Sequence, residues 1–350
     1  MLTDRTGTIL KSIVGQYIQR AAAVPSQSVV LDAELGVSSA TIRNEMSRLE
    51  QEGYITRAHP SAGGVPSDKG YRYYVESLPD VMLSPSEQRL MSHLFHQVEK
   101  ELEKWLSLAV NLLARQVQNV AVVTMPKSRD CRFKHLELVS LQDKLTLVVL
   151  VLHGAKLKQR LVTFDRGLFQ AELTAIANRT NDVYAGLTCR QIQAKTVILS
   201  PDEKQLTDYL QEMMRAEDEQ ENEQPYLDGL HFMLNQPEFA RNQKLLGLME
   251  LVEHRRLLKT ITPTGLTDQR VRVIIGTENK EESFRDYSIV ISRYGLPDKA
   301  EGTIGVVGPT RMSYAHTIST VVYLSSLLSG LVAGLYGGEN YDLPPQPTAD

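Results

Sequence analysis

Cysteine is nearly absent from this sequence of 350 residues: only Cys131 and Cys189 occur, and they form no C-x-x-C pair. That excludes a disulfide framework and a cysteine-rich zinc finger, and it suits a reducing compartment. Aromatic residues are few, at 6% with a single tryptophan. An excess of one charge is also missing. Lys and Arg number 38 against 42 Asp and Glu, so no global basic surface argues for nucleic acid. Met1-Leu2-Thr3-Asp4-Arg5 opens no apolar leader, and a cytoplasmic location is expected. The one long stretch without Asp, Glu, Lys or Arg lies between Arg311 and Glu339. It carries Thr317, Thr320, Ser325 and Ser329 among apolar residues at helical spacing, the pattern of a buried C-terminal helix rather than a membrane span.

What is present suits an α+β multidomain chain. Residues 1–78 read as three helices and a small β element. Leu10, Ile13, Val14 and Tyr17 recur at i, i+3, i+4 and i+7. Pro25-Ser26 restarts the chain, a short helix runs to about Glu34, and Leu35-Gly36-Val37 makes a tight turn. Ser38 is placed to cap the next helix, which ends at Gly53. Residues 79–86 form a linker and 87–118 one long helix. The strand-like runs Val120–Thr124, His135–Leu141, Leu145–Leu152 and Leu157–Phe164 suggest a single antiparallel meander. Helical patterning dominates 185–262, where the acidic run Glu217–Glu223 suits a solvated helix end. Strand signals return at Val271–Ile275, Ser288–Ser292 and Gly302–Val307. The order suggests a mixed domain, 87–184 with 263–338, interrupted by an insertion over 185–262 and followed by a disordered tail, 339–350.

The helix after Ser38 carries the chemistry. Ile42, Met46 and Leu49 fall on one face and belong in a core. Ala40, Arg43, Asn44 and Ser47 share the opposite face. These residue types suit a major groove: Arg bonds two acceptors of guanine, Asn pairs with adenine, and a small apolar group meets a thymine methyl. A short helix and tight turn before it give the helix-turn-helix arrangement. Lys69-Gly70-Tyr71-Arg72-Tyr73-Tyr74 resembles one side of a β wing, and Arg57, His59, Lys69 and Arg72 are placed to meet phosphates. Ser38 and Ser39, with the helix N-terminal amides, suit another phosphate. The competing reading is a three-helix bundle whose polar face meets only water. Residues 1–78 hold equal numbers of basic and acidic side chains, so a single module should bind weakly; two modules on a two-fold site would restore affinity.

Ser38-Ser39-Ala40-Thr41-Ile42-Arg43-Asn44-Glu45-Met46 and the stretch Ser61–Val75 resemble the HrcA family, bacterial heat-inducible transcription repressors. The resemblance continues through Leu234–Phe239 and Gly302–Met312 and so covers nearly the whole chain. It implies an N-terminal winged helix-turn-helix and a GAF-like α/β domain with an inserted dimerising domain. It further implies a homodimer bound to an inverted-repeat operator of the CIRCE type, with the GroE chaperonin as a partner that keeps the repressor active. Carried onto this sequence, it adds Thr41, Gly63 and Gly64 to the candidate DNA-binding residues. Family members usually have Arg where Gly64 stands, so one phosphate or minor-groove contact is expected to be missing, and the segment between the first two helices is shorter than usual. Three other classes stay open. They are a ligand-gated regulator, an enzyme and a scaffold packed through the 87–118 and final helices. Against them, Gly302, Gly305 and Gly308 match no nucleotide fingerprint, His93 and His96 lack further ligands at metal spacing, and no base is placed beside Cys131. No cofactor, metal or membrane is expected.

Overall fold

The computed structural model describes residues 2–32, 36–59, 61–80, 82–99, 101–127, 130–153, 157–219, 225–239, 271–297 and 300–336. Parts of several expected features therefore lie outside the described residues: Glu34 and Leu35 of the tight turn, 220–223 of the acidic run, 240–262 of the insertion, and the 339–350 tail.

The chain begins with a small helical head. Helix α1 (Asp4–Arg20) starts where Thr3 Oγ1 accepts the Thr6 amide, and it stops at left-handed Ala21. Helices α2 (Ser26–Asp32) and α3 (Ser39–Gln51) follow, and Gly36 between them takes φ +62°. Short strands β1 (Ile55–Thr56) and β2 (Val65–Pro66) pair antiparallel. The next segment corrects the expected wing. Lys69–Tyr74 lies in a helix, α4 (Asp68–Glu76), because Ser67 Oγ accepts the Gly70 amide and caps it. Ile9, Leu10, Ile13, Val14, Val29, Ile42, Met46, Leu49, Ile55 and Tyr71 are buried together as the head's apolar interior.

The expected single helix over 87–118 is two. Helix α5 (Pro85–Gln97) opens with a Ser84–Glu87 capping box and ends at extended Val98, and α6 (Leu102–Val117) begins afresh. Leu90 is exposed, while Met91 and Phe95 bury on α5 and Trp105, Leu106, Ala109 and Leu113 bury on α6.

The chain divides into two compact units, the first made of Met1–Pro126, Gln224–Pro297 and Glu301–Asp350, the second of Lys127–Glu223 with Asp298–Ala300. The first holds the head and a five-stranded sheet of order β7 (Tyr226–Asp228), β3 (Val120–Val123), β10 (Ala300–Pro309), β9 (Tyr287–Leu296) and β8 (Arg272–Ile275). Val120, Val122, Ile289, Ile291 and Val307 pack on one side with Met233 of α10 (Leu230–Leu234), Phe239, Phe284 and Tyr287. Helix α11 (Tyr314–Tyr336) lies against β9 and α6. It is long and apolar enough to cross a membrane, yet more than half of that window is buried in the fold. Its serines serve the packing: Ser329 Oγ accepts the Gly295 amide at 2.9 Å. The glycines of β10 lie where a side chain would strike Tyr294, Ile291 or Asn119, which accounts for their spacing by packing.

The second unit is a meander of β4 (Phe133–Gln142), β5 (Leu145–Leu152) and β6 (Leu157–Thr163) backed by α7 (Gln170–Tyr184), α8 (Cys189–Ala194) and α9 (Pro201–Glu219). Leu136, Leu138, Val148, Leu150, Leu152 and Val162 face Leu173, Ala177, Ile192, Leu206, Leu210 and Met214. Two expectations are corrected here. The run Val120–Thr124 does not open the meander: β3 is buried on both faces, which needs a central position, and it pairs with β10 and β7. The interrupting unit also begins at Lys127 rather than 185, since the meander's apolar face is covered by α7–α9 and must travel with them. In α9, Glu217 pairs with Lys158 and Asp218 accepts the Cys131 amide at 2.6 Å, so this part of the acidic run is structural.

Candidate nucleic-acid interface

Helix α3 presents its two faces as its spacing requires. Ser38, in extended backbone, accepts the Thr41 amide through Oγ at 3.2 Å and sets the helix start. Beyond Gln51, Glu52 caps the end and Gly53 takes φ +77°. Ile42, Met46 and Leu49 are fully buried, whereas Ala40, Arg43 and Asn44 are exposed. Arg43 Nη2 donates to Ser39 Oγ at 3.1 Å, and Thr41 Oγ1 shares a hydrogen bond with Ser38 Oγ. The outer surface of the first two turns therefore carries one guanidinium, one carboxamide and a methyl, all exposed, with exposed Ser38 and half-buried Ser39 and Thr41 beside them at the helix N-terminus.

One buried carboxylate locks this helix, and no local pattern marks it. Glu45 points inward between Ile42 and Met46; Arg5 Nη2 donates to its Oε1 and Thr6 Oγ1 to its Oε2, each at 2.9 Å. Burial by itself would raise its pKa, but the hydrogen bonds from Thr6 and Arg5 outweigh burial and hold the carboxyl below the usual range. The registration of α3 on α1 thus rests on a charge-assisted link across 39–40 residues of sequence.

The residues expected at phosphates are placed differently. Arg57 is nearly inaccessible, its side chain 4% exposed. Nε donates to Glu50 Oε2 at 2.9 Å and Nη2 to Ser47 Oγ at 3.1 Å. The hydroxyl of Ser47 in turn donates to the Arg43 carbonyl, so Ser47 and Arg57 brace α3 against the end of β1. Lys69 Nζ donates to the Glu52 carbonyl at 2.8 Å and lies over the Tyr54 ring, a cation at a helix C-terminus. Arg72 is ion-paired with Glu278. His59 is exposed near the tip of the β1–β2 connection, its Nδ1 2.9 Å from Ser61 Oγ.

Gly63 and Gly64 are not at that tip. Gly64 exchanges two backbone hydrogen bonds of 2.9 Å with Val24, and a Cβ at position 64 would stand 3.1 Å from both Met46 and Ile55. Position 64 thus faces the interior of the head, and its lack of Arg removes no contact from the outer surface of α3. Among the described residues no group of three or more His, Cys, Asp or Glu stands ready for a metal. Burial, with Asp218 beside it, raises the Cys131 thiol pKa and keeps the thiol protonated.

Comparison with known proteins places this surface in context. Residues 103–318 match the family model described as the HrcA protein C terminal domain. A heat-inducible transcription repressor HrcA of Dehalococcoides mccartyi is 56% identical over 337 residues, 96% of this chain and 98% of that protein. The repressor of the same name from Roseiflexus castenholzii is 41% identical over 347 residues, 97% of this chain and 96% of that protein. A crystal structure described as a hypothetical protein aligns with TM-score 0.58 at 22% identity, over 95% of this chain and 99% of its own, and so shares the fold.

Proposed function

This chain belongs to the HrcA family, and from that premise we propose that it is a repressor of heat-shock genes whose head is a winged helix-turn-helix with α3 as its recognition helix. The observation that carries the reading is the opposition of two faces on one capped helix, Ile42, Met46 and Leu49 inside and Ala40, Arg43 and Asn44 outside. On a duplex, Arg43 is the candidate for guanine, Asn44 for adenine and Ala40 for a thymine methyl. Ser38, Ser39 and Thr41 sit at the helix N-terminus, where amides and hydroxyls suit a phosphate. The β1–β2 pair is the wing, with His59 at its exposed end.

The five-stranded sheet and its helices make up the GAF-like domain in this reading, and the second unit is its inserted dimerising domain. The outer face of the meander supports that role. Val139, Leu147 and Leu161 stand side by side in register, and Val139, Leu141, Leu157 and Leu161 are each more than 40% exposed. An apolar sheet face of this kind marks an interaction surface. Two heads on a two-fold dimer would meet an inverted repeat of the CIRCE type, and family membership supports a chaperonin of the GroE type as a partner in the cytoplasm. The test is a titration of the full chain against an inverted-repeat duplex and a scrambled duplex of the same composition. A repressor discriminates by about 10³-fold or more. Equal affinity for both would end the reading.

A further inference from the structure

Three stretches that stand out in the sequence, Lys69–Tyr74, Leu234–Phe239 and Gly302–Met312, contribute nothing to the exposed face of α3. Within the first unit all three lie at contacts between the head and the sheet domain or its flanking segments: 69–74 meets Val273, Glu278 and Tyr314, and 302–312 meets 234–239 through Arg311 and Glu238. Asp68, at the first turn of α4, accepts hydrogen bonds from the Thr277 amide at 2.8 Å and from Thr277 Oγ1 at 2.7 Å. One turn later, Arg72 Nε donates to Glu278 Oε1 at 2.7 Å, and Nη2 donates to the other Glu278 oxygen and to the Val273 carbonyl. Between them, buried Tyr71 packs its ring 5.9 Å from that of Tyr314. Tyr314 itself is anchored, donating to the Thr310 carbonyl and sharing a hydrogen bond with Ser288 Oγ. At the far end of the head, Arg311 pairs with Glu238 and reaches the Ile18 carbonyl in the last turn of α1. That carbonyl has no partner within the helix.

The sheet side of this contact is built in advance. Asn279 is buried and its Nδ2 lies within 3.0 Å of the carbonyls of Gly276, Phe284 and Tyr287, which pins the loop after β8. Glu278 Oε2 also accepts the Ile275 amide at 2.9 Å, so the carboxylate faces Arg72 already oriented. Gly276 takes φ +50°, and a Cβ there would run into the Asp68 carboxylate. Beside an intact Asp68 carboxylate, glycine is what lets α4 approach this closely. The contact is a tyrosine pair ringed by partly exposed ionic groups, and ionic groups of that kind are individually weak. It can open.

We propose that this clasp is a positioning device, which holds α3 in a fixed orientation on the sheet domain so that both heads of a dimer meet their half-sites without reorienting. It rests on the DNA reading above. Without the clasp, the roughly eight residues between α4 and α5 would act as a tether with a reach on the order of 15 Å. Ordering two such tethered heads on one duplex costs affinity that a prefixed pair retains. Arg72, Asp68 and Arg311 are positioning residues in this scheme and do not touch DNA.

Two variants of the full chain test it. Glu278→Gln removes the charge from the clasp and leaves α3 untouched. It should weaken binding to the inverted repeat about tenfold while changing affinity for a duplex with one half-site by less than about twofold. The pair Asp68→Cys with Gly276→Cys places two thiols where the clasp closes, and oxidation should lock it. Formation of that cross-link in the native protein, followed by retention of wild-type affinity for the inverted repeat, is the expected result. A locked protein that cannot bind the inverted repeat would make the contact inhibitory and overturn the proposal. So would a Glu278→Gln protein with wild-type affinity for both duplexes. Wild-type protein with no preference for the inverted repeat would instead remove the DNA reading, and with it the positioning role, while the cross-link would still report the contact itself.

Discussion

Glu45 occupies the middle of the helix whose outer side is the candidate reader, and its carboxylate is the group that ties that helix to α1. Glu45→Ala removes the shared acceptor of Arg5 and the Thr6 hydroxyl and should destabilise the head by about 1–3 kcal/mol. Because the folded pKa lies below the ordinary value of 4.5, the stabilisation is fully present above that value and is lost as pH falls through the depressed one. Glu45→Gln should therefore show a flatter loss of stability than the wild type on acidification, measured by chemical denaturation across the acid range. Arg57 leads to a different prediction from the one its charge suggests. Its guanidinium is enclosed by Glu50 and Ser47, so Arg57→Ala should lower the melting temperature and leave the salt dependence of DNA binding unchanged. An altered salt slope with an unchanged melting temperature would return it to the phosphates.

At the scale of elements, helix α3 depends on its cap. Ser38→Ala should cost about 1 kcal/mol in denaturant titration, with Ser38→Asp close to wild type. This helix was legible in the sequence because every determinant is local: the cap, the 3.6-residue spacing of Ile42, Met46 and Leu49, and Gly53 at its end. Helix α4 was not, since Lys69–Tyr74 mixes basic and aromatic residues as an exposed strand does; the nearby signal was Ser67 followed by Asp68 in the first turn. Strand β3 reads alone as a member of the meander that follows it. Its true neighbour β10 is far along the chain, as the bond between Thr124 and Thr303, 179 residues apart, shows. The partners of the cations were hidden for the same reason. No local pattern tells Arg72 that Glu278 lies across from it, 206 residues away.

For the whole molecule, the equal numbers of basic and acidic residues in 1–78 and the internal pairing of Arg57 and Arg72 leave few cations for the phosphate backbone. On the proposed reading affinity comes from two heads acting together, and the apolar outer face of the meander is the surface that would join them. Leu161→Glu should convert a dimer to a monomer in analytical ultracentrifugation and abolish preference for the inverted repeat; a dimer that persists would place the interface elsewhere. The most direct measurement is the affinity of wild-type and Arg43→Ala protein for a panel of inverted repeats, each substituted symmetrically at one base pair. If α3 reads the groove, Arg43→Ala costs about 1–3 kcal/mol on the parent duplex and loses discrimination at a single symmetry-related position. An equal loss on every duplex, or none on any, would contradict the account.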